Sequence, residues 1–258
     1  ESDIIILAVP SAFINNTLKD LPKSLFKNKL IFSAIKGIVP EYNLIVGEYL
    51  NTIFDIPFDN IGVITGPCHA EEVALEKLSY LTIASKNITK AEILCEAMRC
   101  RYIKCSSSDD IYGTEISAVL KNVIAVAGGI CHGLGYGDNF LAVLVSNAIQ
   151  EIDRFVAAVH PIERDTKGSA YLGDLLVTAY SQFSRNRMFG TMLGKGYSVK
   201  NAQLEMNMIA EGYYAVKCVC EINKKYKVNM PITEAVNNII YNHKSAKVEM
   251  ELLAEVLS

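Results

Sequence analysis

The chain has 258 residues, half of them hydrophobic and 21% charged, a composition that can bury a full core and excludes an intrinsically disordered protein. Its formal charge of −3 excludes a general nucleic-acid binder, which carries a basic surplus. The most apolar stretch, Ile116 to Ile130, is interrupted by Lys121 and Asn122 and falls short of the roughly 18 to 20 uncharged residues of a membrane span, so a soluble chain with no stable membrane insertion is expected.

The chain opens ESDIIILAVP and enters an apolar run almost at once, without an initiator Met or a signal peptide, so residues upstream are expected to be missing. Strands are expected at 3–9, 29–34, 60–65, 78–84 and 102–105, with helical stretches between them near 12–21, 45–52, 70–76 and 90–98. Strands alternating with helices imply a largely parallel sheet with helices packed on it. The uninterrupted Ile4-Ile5-Ile6-Leu7 reads as a fully buried strand. Beyond Asp109 the strand signal ends. Helices are expected at 111–128, 140–159, 174–178, 204–225, 231–241 and 246–257, the last with Val248, Leu252 and Val256 along one apolar face. Pro231 falls in a first helical turn, where its missing N–H does no harm. The organisation is therefore an α/β segment over 1–110 followed by an all-helical domain over 111–258.

Seven cysteines, an odd number with no CxxC pair, argue for reduced thiols packed as small hydrophobes in a cytosolic protein rather than a disulfide scaffold. The four histidines are scattered without metal-ligand spacing, so no metal is expected. Cys68-His69 could pair a thiol with a base, but neighbouring side chains seldom meet productively, which favours a structural role.

Lys121 is the strongest anomaly. It sits in EISAVLKNVIAVAGG, a helix apolar on nearly every side, where an ammonium is expensive to desolvate. The alternatives are a functional lysine and one that snorkels to the surface. Ser33-Ala34-Ile35-Lys36-Gly37 ends a strand in Lys-Gly, and ligands of open α/β sheets gather beyond such carboxyl ends. Gly66-Pro67 follows the next strand at an equivalent rim position, which by itself is an ordinary turn. Downstream, Tyr171 to Thr178 is followed by Ser184-Arg185-Asn186-Arg187, whose planar guanidinium and neutral donors suit phosphate but also suit a solvated surface.

Together these pieces resemble the bacterial NAD(P)-dependent glycerol-3-phosphate dehydrogenases. The matching motifs are AVPS (8–11), IKG (35–37), GPCHAEEVA (66–74), LKNVIAVAGGICHGLGYGDN (120–139), GDLLVT (173–178), SRNRMFG (184–190), AEG (210–212) and MPITEAV (230–236), in the family's order. The resemblance implies the latter part of a Rossmann-type domain, then a helical substrate domain, NAD or NADP as cofactor, and interconversion of dihydroxyacetone phosphate and sn-glycerol 3-phosphate for phospholipid synthesis. It allows a homodimer. It implies Lys121 as catalytic acid/base with Asp174 as its partner, and Lys36 as a group polarising the carbonyl or binding substrate near the nicotinamide. Gly66, Cys68, Ser184, Arg185 and Asn186 would contact substrate, the last three chiefly its phosphate. Phe13, Lys36, Ala70, Arg185, Ile209 and Glu211 would lie on the cofactor side.

Two departures stand out. Cys68-His69 replaces the family's Ser or Thr followed by Phe, and a thiol is a weaker donor than a hydroxyl. No GxGxxG occurs anywhere, since Gly133-x-Gly135-x-Gly137 follows a helix rather than a strand. The turn that grips pyrophosphate is therefore expected upstream, and the chain alone is expected to bind a dinucleotide weakly and not to turn over substrate. Two rivals remain: another two-domain NAD(P)-dependent reductase of a hydroxy acid or sugar phosphate, and a non-enzymatic helical assembly module, which requires Lys121 on the surface.

Overall fold

The computed structural model describes residues 2–206 and 208–258. The chain divides into two compact units, one formed by Glu1–Ala118 with Lys167–Asp174, the other by Val119–Thr166 with Leu175–Ser258.

In the first unit, β1 (Ile4–Leu7), β2 (Leu30–Ser33), β5 (Ile61–Thr65), β6 (Ser79–Ser85) and β7 (Ile103–Ser108) form one sheet in that order. Every neighbouring pair is parallel except β5 with β6. Successive side chains of β2 face opposite sides, which explains the two cores. Ile31 joins Ile14 and Leu18 of α1 (Ser11–Leu18) and Tyr49, Leu50 and Phe54 of α2 (Val46–Phe54). Phe32 joins Leu81, Ile83 and Leu94, the last from α4 (Ile88–Met98). The expected burial of β1 needs correction: among the described residues it pairs only with β2, and Ile6 is 45% exposed. A two-residue hairpin of β3 (Ile38–Val39) and β4 (Leu44–Ile45) was not expected, because so short a pair carries no readable period.

Glu115 shows how this unit fastens α2. It lies on α5 (Ile111–Gly133), is completely buried, and its two carboxyl oxygens accept the Gly47 N–H at 3.2 Å each. The donor lies in the first turn of α2, where N–H groups have no intrahelical acceptor. Burial outweighs these bonds and pushes the Glu115 pKa up to about 8. Because the folded value is raised above the ordinary one, the native state holds more protons than the unfolded chain between about pH 4.5 and about pH 8. The contribution of Glu115 to stability is therefore complete at acid pH and is lost as pH rises through about 8. Chemical denaturation from pH 5 to 9 should show that decline, and Glu115→Gln should flatten it.

In the second unit, α5 is packed against α6 (Asp138–Val159), α8 (Arg185–Gly194), α10 (Glu211–Tyr226) and α12 (Ala246–Ala254), with contacts at Gly128–Leu141, Gly129–Arg187, Asn122–Gly212 and Cys131–Met250. At 23 residues α5 is long and apolar enough to cross a membrane, but 89% of its apolar window is buried inside the protein, which accounts for its composition. Backbone meets backbone where it passes α8. A Cβ on Gly129 would stand 2.1 Å from the Arg187 carbonyl oxygen, and one on Gly190 would stand 2.1 Å from that of Val126. One turn further, Gly133 and Gly194 repeat the arrangement against Thr191 and Ile130 at 2.4 and 2.3 Å.

Pro231 opens α11 (Pro231–Ile240), as expected. The free N–H groups of Ile232 and Thr233 behind it are taken by buried Glu151, at 2.9 and 3.0 Å. Burial raises the Glu151 pKa, so both units use an enclosed carboxyl to fasten a helix start.

The expected helix 204–225 is two elements, α9 (Val199–Glu205) and α10, with Met206 and Ala210 in extended conformations between them. Asn207, within that expected span, lies outside the described residues. The 246–257 element ends at Ala254, and its Val248, Leu252 and Val256 are 50 to 63% exposed while Met250 and Leu253 are buried.

Candidate active site

In the first unit the chemistry gathers at the carboxyl ends of β2 and β5, parallel neighbours. Lys36 leaves β2 and donates from Nζ to the Gly66 carbonyl at 3.0 Å, just beyond β5. The same Nζ pairs with Asp174 Oδ2 at 3.4 Å. Asp174 is 1% exposed, so its charge is stabilised by this ammonium rather than by solvent. Gly66 has φ of +109°, and a Cβ there would stand 2.8 Å from the Tyr80 carbonyl, so only glycine lets the backbone turn at this rim.

A π-helical turn at Ser169–Gly173 delivers Asp174 to this cluster. Tyr171 donates its hydroxyl to Asp110 Oδ2 at 2.6 Å, and Asp110 Oδ1 accepts the Gly113 N–H at 2.9 Å at the start of α5. Sequence reasoning missed Asp110 and Tyr171 as positioning residues. The available signal was an Asp immediately before a helix start, a cap position. Cys68 is half-buried and packs with the Phe32 and Ile64 cluster, while Phe13 (51% exposed) and Ala70 face solvent at the starts of α1 and α3 (Ala70–Ala74).

This rim fits the nicotinamide end of a dinucleotide. β1, β2 and β5 run parallel and end together, Gly66 keeps the backbone bare, Lys36 supplies a cation, and Phe13 supplies an exposed apolar ring.

In the second unit Lys121 is 5% exposed, which removes both the snorkelling alternative and the surface lysine required by the assembly-module rival. Its neighbour Asn122 accepts from Asn186 Nδ2 at 2.9 Å, and Asn186 Oδ1 accepts the Gly212 N–H at 2.9 Å. Three motifs far apart in sequence, LKN, SRNR and AEG, thus meet in one buried chain of hydrogen bonds. A Cβ on Gly212 would stand 2.6 Å from the Asn122 carbonyl, so the AEG glycine permits this approach. Ser184 caps α8, its Oγ accepting the Arg187 N–H at 3.2 Å. Arg185 opens that helix, is exposed, and places Nη1 3.5 Å from Met208 Sδ. Ile209 and Glu211 are half-buried at the entry to α10.

A Rossmann-like sheet unit followed by a helical unit with an enclosed lysine defines a two-domain nicotinamide dehydrogenase. Family models described as the NAD-dependent glycerol-3-phosphate dehydrogenase N-terminus and C-terminus match residues 1–91 and 110–251. The chain belongs to that family. The N-terminal match begins at the first residue and so does not confirm a missing upstream segment. The chain is 36% identical over 256 residues to glycerol-3-phosphate dehydrogenase [NAD(P)+] of Bacillus subtilis, covering 98% of this chain and 74% of that protein. The corresponding Clostridium botulinum protein is 34% identical, covering 98% and 76%. Among solved structures, glycerol-3-phosphate dehydrogenase from Coxiella burnetii matches with a TM-score of 0.91 at 29% identity, over 98% of this chain and 77% of that one. A D-mandelate dehydrogenase matches at a TM-score of 0.60 and 17% identity, over 98% and 78%, which shows a shared fold alone.

Proposed function

We propose that the protein interconverts dihydroxyacetone phosphate and sn-glycerol 3-phosphate with NAD or NADP, supplying the glycerol backbone of phospholipids. The observation that carries this reading is the enclosed Lys121 next to an asparagine that is hydrogen-bonded into the SRNR helix. The nicotinamide, when bound, supplies or accepts the hydride. In the second unit, Lys121 donates a proton to the carbonyl oxygen on reduction and takes one from the hydroxyl on oxidation. The N-terminus of α8 with Ser184, Arg185 and Asn186 holds the phosphate, where unsatisfied N–H groups and a guanidinium fork favour a dianion. In the first unit, Lys36, fixed by Gly66 and Asp174, polarises the carbonyl or holds substrate beside the nicotinamide. Gly66 and Cys68 contact substrate. Phe13, Ala70, Arg185, Ile209 and Glu211 serve the cofactor.

We assign residues 1–110 to dinucleotide binding and 111–258 to substrate and catalysis. Seven free thiols support a reducing, cytoplasmic location. Self-association as a homodimer is part of the proposal, and light scattering on the eluting protein decides it.

The phosphate assignment is tested by Arg185→Lys. That change keeps the charge but loses the two-pronged geometry, so KM for dihydroxyacetone phosphate should rise by about tenfold, with a smaller change in kcat. Unchanged KM would remove Arg185 from the phosphate site.

A further inference from the structure

Ser184, Arg187, Met188, Thr191 and Lys195, which share one face of α8 and its caps, border a cavity of about 340 Å³. His132, near the end of α5, completes its basic wall. Its size falls in the range of small-ligand sites, roughly 300 to 1,000 Å³. Arginine, lysine and histidine line it and, among the described residues, no acidic one does, in a chain whose net charge is −3. Among the described residues neither Arg187 nor Lys195 forms an ion pair.

Arg187 is the least satisfied of them. Its Nε is buried and has no hydrogen-bond partner, and Nη1 reaches only the Tyr180 carbonyl at 3.4 Å. A buried donor left without an acceptor is costly, so its presence here calls for one. Asn186, one residue earlier, turns instead into the Asn122–Gly212 network. The SRNR segment therefore presents Asn186 to that network and Arg187 to the cavity.

We propose that this cavity is a second anion site, one that binds a phosphate monoester through Arg187, Lys195 and His132. A dianion matches several converging cations better than a single carboxylate does, and the guanidinium fork matches phosphate oxygens. Occupancy ties the end of α5 to α8, whose first turn carries Ser184, Arg185 and Asn186. Ligand here braces the helix that the proposed reaction uses, although the site itself stands independently of that reaction.

Equilibrium dialysis with labelled inorganic phosphate tests it, using the wild type, Arg187→Gln/Lys195→Gln, Lys195→Glu and Arg185→Gln. The wild type should bind two equivalents and the double variant one, with glycerol 2-phosphate competing for the equivalent that is lost. Arg185→Gln should lose the other equivalent. Lys195 is exposed, so Lys195→Glu leaves folding intact and should weaken this one site at least tenfold. If the wild type binds a single equivalent that survives Arg185→Gln but not the double variant, the cavity is upheld and the Arg185 assignment fails. Phosphate binding unaffected by both the double variant and Lys195→Glu, or no binding in the wild type, overturns the proposal.

Discussion

Replacing Lys121 with methionine should lower kcat by a factor of about 100 or more, the usual scale for losing a positioned acid/base. That factor corresponds to about 2.7 kcal/mol of transition-state stabilisation. Methionine has nearly the length of lysine and removes only the charge and the proton. The residue is 5% exposed and methionine fills nearly the same buried volume, so the fold should be retained. The expected pattern is thus a large fall in turnover, an intact thermal transition and a modest change in KM. A fall in stability that matched the fall in rate would instead assign Lys121 a structural role.

The second large effect is on stability. Gly129→Ala should destabilise the protein by about 3 kcal/mol or more, because the added methyl would stand 2.1 Å from the Arg187 carbonyl oxygen, a backbone atom that cannot rotate away. Two effects compete. Alanine is the better helix former by roughly 1 kcal/mol. The contact forces two helices apart along a seam that repeats one turn later at Gly133 and Gly194, and the overpacking wins. For a chain of this size the melting temperature should fall by roughly 6–12 °C. Gly137→Ala is the control: its φ is −87° and nothing lies within 4 Å of a Cβ there, so the same chemical change should be nearly neutral. Thermal unfolding of both variants by circular dichroism separates the two cases.

The sheet was legible because β2 (LIFS) and β5 (IGVIT) are short, mostly apolar runs with turn residues beyond their ends. The hairpin at Ile38–Ile45 was not, since its strands are two residues each. The helix carrying SRNR was read as a polar cluster because its charged and polar residues mask the apolar stripe of Phe189 and Leu193. The last helix shows the limit of periodicity. Val248, Leu252 and Val256 form as regular a stripe as Met250 and Leu253, and only tertiary packing decides which is buried. Of the site, Lys121 stood out locally because a charge in an apolar helix is anomalous. Lys36 and Gly66 were placed by the rule for strand ends. The links from Asn122 through Asn186 to Gly212, and from Asp110 to Tyr171, join positions distant in sequence, and no local pattern reports them.

The most direct measurement follows oxidation of the reduced nicotinamide by the full-length enzyme with dihydroxyacetone phosphate, set against hydroxyacid-forming keto acids and sugar phosphates. The account predicts consumption of NADH or NADPH that depends on dihydroxyacetone phosphate, yields sn-glycerol 3-phosphate in equal amount, and collapses in Lys121→Met. Oxidation supported equally by the other substrates, or undiminished in Lys121→Met, would contradict it.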